Sequence, residues 1–552
     1  MILGIDVGGT HTDAVLVEGC DVRRKAKVST DASHLLTSLS RAVKAVLEGE
    51  NPLKLRRVVL STTLSTNAIV QGKVDKVGIV LPSGPGLSPS HFQLKDPVHF
   101  VSGYVNHRGI EMAAIDEDEI AGLASTFHDQ GIRHAAVVGK FSTRNPLQEL
   151  AIKDMIGGRL RHVSLGHRLS GNLNYPRRVA TAYLNASVWE TYNHFVGQVL
   201  DFIREQNISA PIYILKADGG TFKISDSAEY PVQTILSGPA ASIMGVLSIV
   251  SCHEDAVVID IGGTTTDIAL FARGVPLLEP LGVTIGDYKT LIRGMKTKSV
   301  GVGGDSAVSV EDGNLKIGPR REGVAAAFGG PCPTPTDAMI VLGLTSIGDR
   351  QKAAEAIDAV AKEMKSPVEE TAERIVGQMC GIIASHVGQV IEDVNNRPVY
   401  TIHELLEDAR LQPRVLYLVG GPAKPLSANL GKLLGCSVFV PEHAEAANAI
   451  GAALARTTAE ITLLADTERK VLTVPETGTQ VKIPAHFKMA DVIKAGEDML
   501  RREAVNMGAD EEDLELEIVE SQEFNMIKQF FTTGKNIRVK IQVKPGLIAV
   551  LQ

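Results

Sequence analysis

Two stretches of the chain set out carboxylates, paired glycines and threonine hydroxyls in the same order. Asp6-Val7-Gly8-Gly9-Thr10-His11-Thr12-Asp13 recurs as Asp260-Ile261-Gly262-Gly263-Thr264-Thr265-Thr266-Asp267, with six of eight positions identical. Paired glycines open backbone angles closed to other residues and leave no side chain between the amides and a ligand. A turn of this kind can cradle phosphate, and the hydroxyls of Thr10, Thr12, Thr264 and Thr266 can add donors. Two such turns can grip one polyphosphate from opposite sides. Four carboxylates beside a polyphosphate would repel it unless a divalent cation lay between them, so the motif that points to ATP also implies Mg²⁺. Asp6 and Asp260 are the candidates for catalysis and for the metal, either holding its water shell or orienting an attacking group.

The elements that position these residues are legible from their flanks. Both copies follow an apolar run (ILGI, AVVI) and precede another (AVLV, IALF), which predicts two strand–turn–strand hairpins. A single copy would be explained equally well as a good hairpin turn; two copies argue for two related halves. A third cluster, Gly420-Gly421-Pro422, follows the strand-like RVLYLV and precedes a helix-like segment ending near Leu434. It would allow close backbone approach to a flat ligand, and its place after the second turn favours that reading over a plain strand-to-helix turn. Rival phosphate loops fail: Gly318 to Gly323 has Walker spacing but is followed by Val324 and Ala325, and Gly301-Val302-Gly303-Gly304 has Ser306 where a dinucleotide fingerprint needs glycine.

The 552 residues exceed one ordinary core, and 44% apolar with 22% charged residues is a globular profile rather than a disordered one. A net charge of -8 argues against a general grip on nucleic acid or anionic membrane. No apolar run is long enough to cross a bilayer and the chain opens on a strand-like segment, so a cytoplasmic location is expected. Five cysteines, odd in number and never in a CxxC pair, read as buried free thiols.

The motif order resembles the actin-like ATPase superfamily of sugar kinases, heat-shock ATPases and actin. The two Asp-x-Gly-Gly-Thr turns match its phosphate motifs, Gly420-Gly421-Pro422 its adenosine motif, and Ser237-Gly238-Pro239-Ala240-Ala241 and Ala446 to Ala452 its two connecting helices. Within it, the chain resembles the A-type (ATP-binding) chain of the hydantoinase/oxoprolinase family. That match is carried by Ser61-Thr62-Thr63-Leu64-Ser65-Thr66-Asn67-Ala68, Ser237 to Ala241, the second turn, Gly303-Gly304-Asp305-Ser306 and Thr334-Pro335-Thr336-Asp337-Ala338. Two departures add carboxylates beside the implied site: Asp305 replaces a usual glycine, and Asp218 stands where the family usually has asparagine.

The resemblance implies an α/β fold of duplicated actin-like (ribonuclease H-like) domains with a nucleotide cleft, over 1–180 and 181–455, with a small C-terminal α+β appendage over 456–552. It implies a cofactor site of Gly8, Gly9, Thr10, Thr12, Gly262, Gly263, Thr264, Thr266, Gly303, Gly304, Gly420 and Gly421. It also implies ATP- and Mg²⁺-dependent opening of a cyclic amide such as a hydantoin or 5-oxoproline-like lactam. The alternatives are the ATP-using subunit of a ketone carboxylase and an ATPase switch that reactivates a partner protein. A B-type partner subunit and a homo- or hetero-oligomer are further implications.

Elsewhere, helical segments at 117–131 and 146–157 alternate with strands near 135–139 and 162–165, predicting one sheet per half, and 351–393 reads as helical. The run from Asp116 to Glu119 reads as a helix start. His99, His107, His162 and His167 read as surface or satisfied-core residues, and Arg177 and Arg178 as solvent-facing.

Overall fold

A computed structural model of the chain describes residues 1–31, 34–88, 91–92, 94–396 and 410–551. The first half is built on a sheet in which β1 (Ile2–Val7) pairs antiparallel with β2 (His11–Glu18), and β2 with β3 (Asp21–Ser29). On its other side β1 runs parallel to β4 (Arg57–Thr62), and β4 to β5 (Ile212–Leu215). The second half repeats this plan strand for strand. Here β6 (Ala256–Ile261) pairs antiparallel with β7 (Thr266–Ala272), which pairs with β8 (Thr297–Val300), while β6 runs parallel to β9 (Val415–Val419) and β9 to β10 (Ser437–Phe439). The central strands are apolar on both faces because helices cover both, as expected where parallel pairing dominates.

The first half holds more than one sheet. Strands Val77–Leu81, Val98–Phe100, His134–Val137 and His162–Leu165 form a separate four-stranded parallel sheet, with helices Glu117–Asp129 and Leu147–Ile156 packed on it. The expectation of one sheet per half is corrected here: the α/β rhythm of residues 77–165 closes its own core instead of widening the first sheet. Asp116 caps the first of these helices by accepting from the Glu119 amide, as its helix-start reading required.

The chain then enters the 31-residue helix α1 (Tyr175–Glu205), which passes through residue 180 without a break. Its sequel, Ile212 to Lys223, returns to the first sheet. Arg178 on this helix is fully buried, not solvent-facing; its guanidinium donates to the carbonyls of Gly139, Lys140 and Asn172 and so fastens the inserted sheet to the helix. His162 and His167 are buried, with His167 Nδ1 2.5 Å from Glu149 Oε2. Of the five free cysteines only Cys380 is fully buried, so the buried-thiol reading holds for that one alone.

Two helices cross between the halves, α2 (Ser237–Ile249) and α3 (Ala447–Leu454). Their contact has no room for side chains: a Cβ on Gly245 would lie 2.1 Å from the Ala447 carbonyl oxygen, and one on Gly451 2.0 Å from that of Ala241. Gly4 of β1 meets α3 just as closely, with its Cβ position 2.2 Å from the Ala449 oxygen. The C-terminal residues form a five-stranded antiparallel sheet with helix Met489–Asn506 packed on it around a core of its own.

Candidate active site

The two Gly-Gly-Thr turns have the same local construction. The Gly8 amide donates to the His11 carbonyl at 3.1 Å and the Gly262 amide to the Thr265 carbonyl at 2.9 Å, closing each hairpin. Fold symmetry then turns them toward each other, so that the Thr10 and Thr264 hydroxyls, 254 residues apart in sequence, lie 3.1 Å from one another. This contact brings the two separate motifs together.

Not every hydroxyl of the motif faces that site. Thr12 and Thr266 are fully buried strand residues, the first paired with the Thr30 hydroxyl at 2.9 Å and the second donating to the Val302 carbonyl at 2.7 Å. At these inward-facing strand positions the two hydroxyls fix the hairpin, whereas Thr10 and Thr264 stand at the turn tips.

Gly303, Gly304 and Gly420 lie against the second turn and the end of its leading strand, and Gly421 follows Gly420. The Gly304 and Asp305 amides donate to the Gly262 and Gly263 carbonyls at 2.9 and 2.7 Å. Thr336 holds the same loop from behind through its hydroxyl, 2.7 Å from the Gly304 carbonyl, and Asp337 forms a capping box with Thr334. Gly420 has φ of 93°, and a Cβ there would lie 2.2 Å from the Ile261 carbonyl and 2.8 Å from Asp260 Oδ1. Only glycine satisfies both demands. The 61–68 and 237–241 motifs also meet, with Ser237 Oγ donating to the Thr62 carbonyl and the Leu236 amide to Thr66 Oγ1, each at 2.9 Å.

Beneath the turns lie four carboxylates. Strand register places Asp6 opposite Asp13 and Asp260 opposite Asp267. Asp260 Oδ2 accepts from Ser242 of α2 at 2.5 Å and from Asn448 of α3 at 3.1 Å, so both crossing helices hold one oxygen. Asp6 Oδ1 is buried with no hydrogen-bond partner among the described residues. Burial first, and then Asp13 and Asp260, push the Asp6 carboxyl up to about 7, and burial with Asp260 nearby pushes Asp267 to about 7.

The third strands treat the two copies differently. Lys27 of β3 donates to both Asp13 oxygens at 2.8 and 2.7 Å, whereas the matching position of β8 is Ser299, whose hydroxyl donates to Asp267.

These residues fit a cation. Crowded carboxylates that raise one another's proton affinity, with one oxygen unpartnered, gain most from a divalent ion. Among the described residues no group of three or more His, Cys, Asp or Glu side chains forms a metal cluster, so Asp6 and Asp260 would share such an ion with phosphate oxygens and water.

Asp305 lies at the second turn, with Oδ2 2.7 Å from the position a Gly263 Cβ would take. Asp218 does not border the turns. It accepts from the Gly220 amide at 2.9 Å and the Thr458 hydroxyl at 3.2 Å and lies 3.7 Å from Lys216 Nζ, in a buried network that fixes the start of the appendage. Lys216 and Arg293 keep its carboxyl below the usual range against the opposing effect of burial.

Sequence reasoning assigned no role to Ser242, Asn448, Lys27 or Arg321. A signal existed for the first two, since each is a lone polar residue in an alanine-rich helical segment (AASI, AANA).

The hydantoinase/oxoprolinase family profile matches residues 178–461, and that of the hydantoinase/oxoprolinase N-terminal region matches residues 2–159. The chain belongs to the hydantoinase/oxoprolinase family. It is 25% identical over 496 residues to caprolactamase subunit alpha of Pseudomonas jessenii, covering 81% of this chain and 69% of the relative. It is 25% identical over 390 residues to the acetophenone carboxylase gamma subunit of Aromatoleum aromaticum, covering 62% of this chain and 53% of that subunit.

Two solved structures show the fold to be that of the actin-like ATPases, as the duplicated sheets indicate. Nucleotide-free acetone carboxylase superposes with a TM-score of 0.75 at 17% identity, covering 100% of this chain and 88% of that one. Caprolactamase from Pseudomonas jessenii superposes with a TM-score of 0.70 at 20% identity and the same coverages. Among the described residues no helix is long and apolar enough to cross a membrane.

Proposed function

We propose that this hydantoinase/oxoprolinase family chain uses ATP and Mg²⁺ to activate a small carbonyl compound by phosphoryl transfer to its oxygen, with a cyclic amide such as a hydantoin or a 5-oxoproline-like lactam as substrate. The observation that supports the reading is the contact of Thr10 with Thr264, which joins the two turns beside the carboxylates of Asp6 and Asp260. An amide resists hydrolysis because resonance stabilises its bond, and phosphorylating the carbonyl oxygen turns that oxygen into a leaving group. What remains for the protein is positioning and charge stabilisation.

In this scheme the turns around Gly8-Gly9 and Gly262-Gly263 present backbone to the phosphates, Gly420-Gly421 lies along the nucleoside, and Asp6 and Asp260 hold Mg²⁺, directly or through water. The cation would neutralise charge on the phosphates. Ser242 and Asn448 hold Asp260 in register with the turn.

A second reading is the ATP-using subunit of a ketone carboxylase. It is supported by the acetophenone carboxylase subunit and by the acetone carboxylase beta subunit of Xanthobacter autotrophicus, 24% identical over 436 residues. Several relatives carry subunit names, which supports a B-type partner in either case.

One assay separates the readings: phosphate release by the chain with lactams, ketones or bicarbonate, with Mg²⁺ and with EDTA. Stimulation by a lactam, lost in EDTA and in Asp260→Ala, is the expected outcome. Stimulation by a ketone with bicarbonate would establish the carboxylase reading instead. Stimulation only by a co-purifying protein would overturn both in favour of a partner-reactivating switch.

A further inference from the structure

The loop from Gly318 to Ala325 places one cation at the mouth of the site. Its entry is pinned by the Ala307 amide on the Arg320 carbonyl at 2.8 Å and by the Gly318 amide on the Ala307 carbonyl at 3.0 Å. Its exit is pinned by Asp337, which accepts from the Ala326 and Ala327 amides at 3.1 and 2.8 Å. Between these anchors Arg321 extends to Asp305, with Nη2 3.3 Å from Oδ2.

Three features set this pair apart from a surface ion pair. First, Asp305 is 7% exposed and belongs to the second turn's supporting loop; its Oδ2 and the Thr10 methyl lie 2.7 and 3.0 Å from the same Gly263 Cβ position. The guanidinium that meets Asp305 is therefore at the junction of both turns. Its charge also reaches His11 of the first hairpin, which burial, then Lys27 and Arg321, hold down to about 4. Second, the contact is long and single. Charge-assisted N–H···O bonds run about 2.7 to 2.9 Å and arginine favours two at once, so Asp305 does not use up the fork. Third, Arg321 Nε is buried with no hydrogen-bond partner among the described residues, which leaves a donor unsatisfied in this state.

A carboxylate left bare at this place would repel the terminal phosphoryl group of a nucleoside triphosphate. With the guanidinium beside it, the pair is nearly neutral and retains donors for a second anion.

We infer that Arg321 contacts the phosphoryl group during transfer, as an arginine supplied in cis, and that Asp305 holds it at its station. The inference rests on the phosphoryl-transfer reading above. In the step, a lone pair of the substrate's carbonyl oxygen forms a bond to the terminal phosphorus of ATP while the bond from that phosphorus to the bridging oxygen breaks, its electron pair leaving with ADP. Arg321 stays protonated throughout and gives hydrogen bonds to the equatorial oxygens, where charge builds up.

The test compares binding of ADP and of ADP with aluminium fluoride, a mimic of the phosphoryl in transfer, by the full chain in Mg²⁺. Arg321→Ala, folded by circular dichroism, is expected to keep ADP affinity within about twofold and to lose about a hundredfold or more in affinity for the mimic. Arg321→Lys should recover part of that loss, since a point charge replaces charge but not the fork. Asp305→Asn should weaken mimic binding about tenfold with ADP binding unchanged, because the guanidinium loses its station.

Equal weakening of both ligands in Arg321→Ala, no change in either, or a wild-type chain that fails to prefer the mimic would each overturn the inference. If no carbonyl compound stimulates phosphate release and yet Arg321→Ala selectively loses the mimic, the substrate reading fails and the arginine's role stands.

Discussion

The crossing of α2 and α3 links stability to chemistry, and Gly451→Ala tests the link. Its new methyl would lie 2.0 Å from the Ala241 carbonyl oxygen and 2.4 Å from the Gly245 amide nitrogen. A carbon needs about 3.3 Å from a carbonyl oxygen, so the two backbones must part by about 1.3 Å. Both obstacles are main chain, which cannot rotate away as a side chain could. The cost therefore falls at the upper end of overpacking, about 3 kcal/mol.

The same displacement reaches the site. Ser242 lies one helical turn before Gly245 and Asn448 one turn before Gly451, and both donate to Asp260 Oδ2. Separating the helices must stretch one of these bonds. A hydrogen bond to a charged group contributes about 1.5 to 3 kcal/mol, so substrate-stimulated phosphate release should fall roughly ten- to a hundredfold. Denaturant unfolding and phosphate release, measured on Gly245→Ala, Gly451→Ala and the double variant, check both effects. Because one separation accommodates both methyls, the double variant should cost at least about 1 kcal/mol less than the sum of the singles. A Gly451→Ala chain with wild-type stability and activity, or strictly additive single and double variants, would refute the reasoning.

Asp6→Asn and Asp260→Asn should each lower phosphate release by at least about a hundredfold while leaving a folded chain, checked by steady-state release alongside circular dichroism. Gly420→Ala places a methyl against the Ile261 carbonyl at a backbone angle that favours glycine, so nucleotide affinity by calorimetry should fall more than tenfold while the appendage stays folded. Burial pushes the Glu476 carboxyl up to about 6 from its usual 4.5. A carboxyl raised on folding contributes its full stability below the unfolded value and loses it as pH rises through the folded one. Glu476→Gln should therefore stabilise the chain by up to about 2 kcal/mol at pH 7.5 and leave it unchanged at about pH 3.5, as read by urea unfolding. Equal effects at the two pH values would remove burial of the charge as the cause.

The sequence by itself determined the parts whose instructions are local. A strand, a Gly-Gly-Thr turn and a second strand specify a hairpin wherever they occur, so both turns and the flanking strands β1, β2, β6 and β7 were legible, as were the capping acid Asp116 and the appendage with its own core. Duplication of the motif even announced that there would be two halves.

Only the tertiary structure decided what the halves do to one another. Thr10 meets Thr264 from the tip of its turn while Thr12, already inside strand β2, is buried against Thr30, because sheet packing chooses which strand positions are buried. Ser242 and Asn448 converge on Asp260 because glycines let two helices cross with their backbones in contact. Of the two departures, Asp305 joins Arg321 at the turns whereas Asp218 joins Lys216 at the appendage seam. A carboxylate's identity is written in the sequence, but its charge state and its partner depend on burial and on residues brought near by packing, and these exist only once the chain has folded.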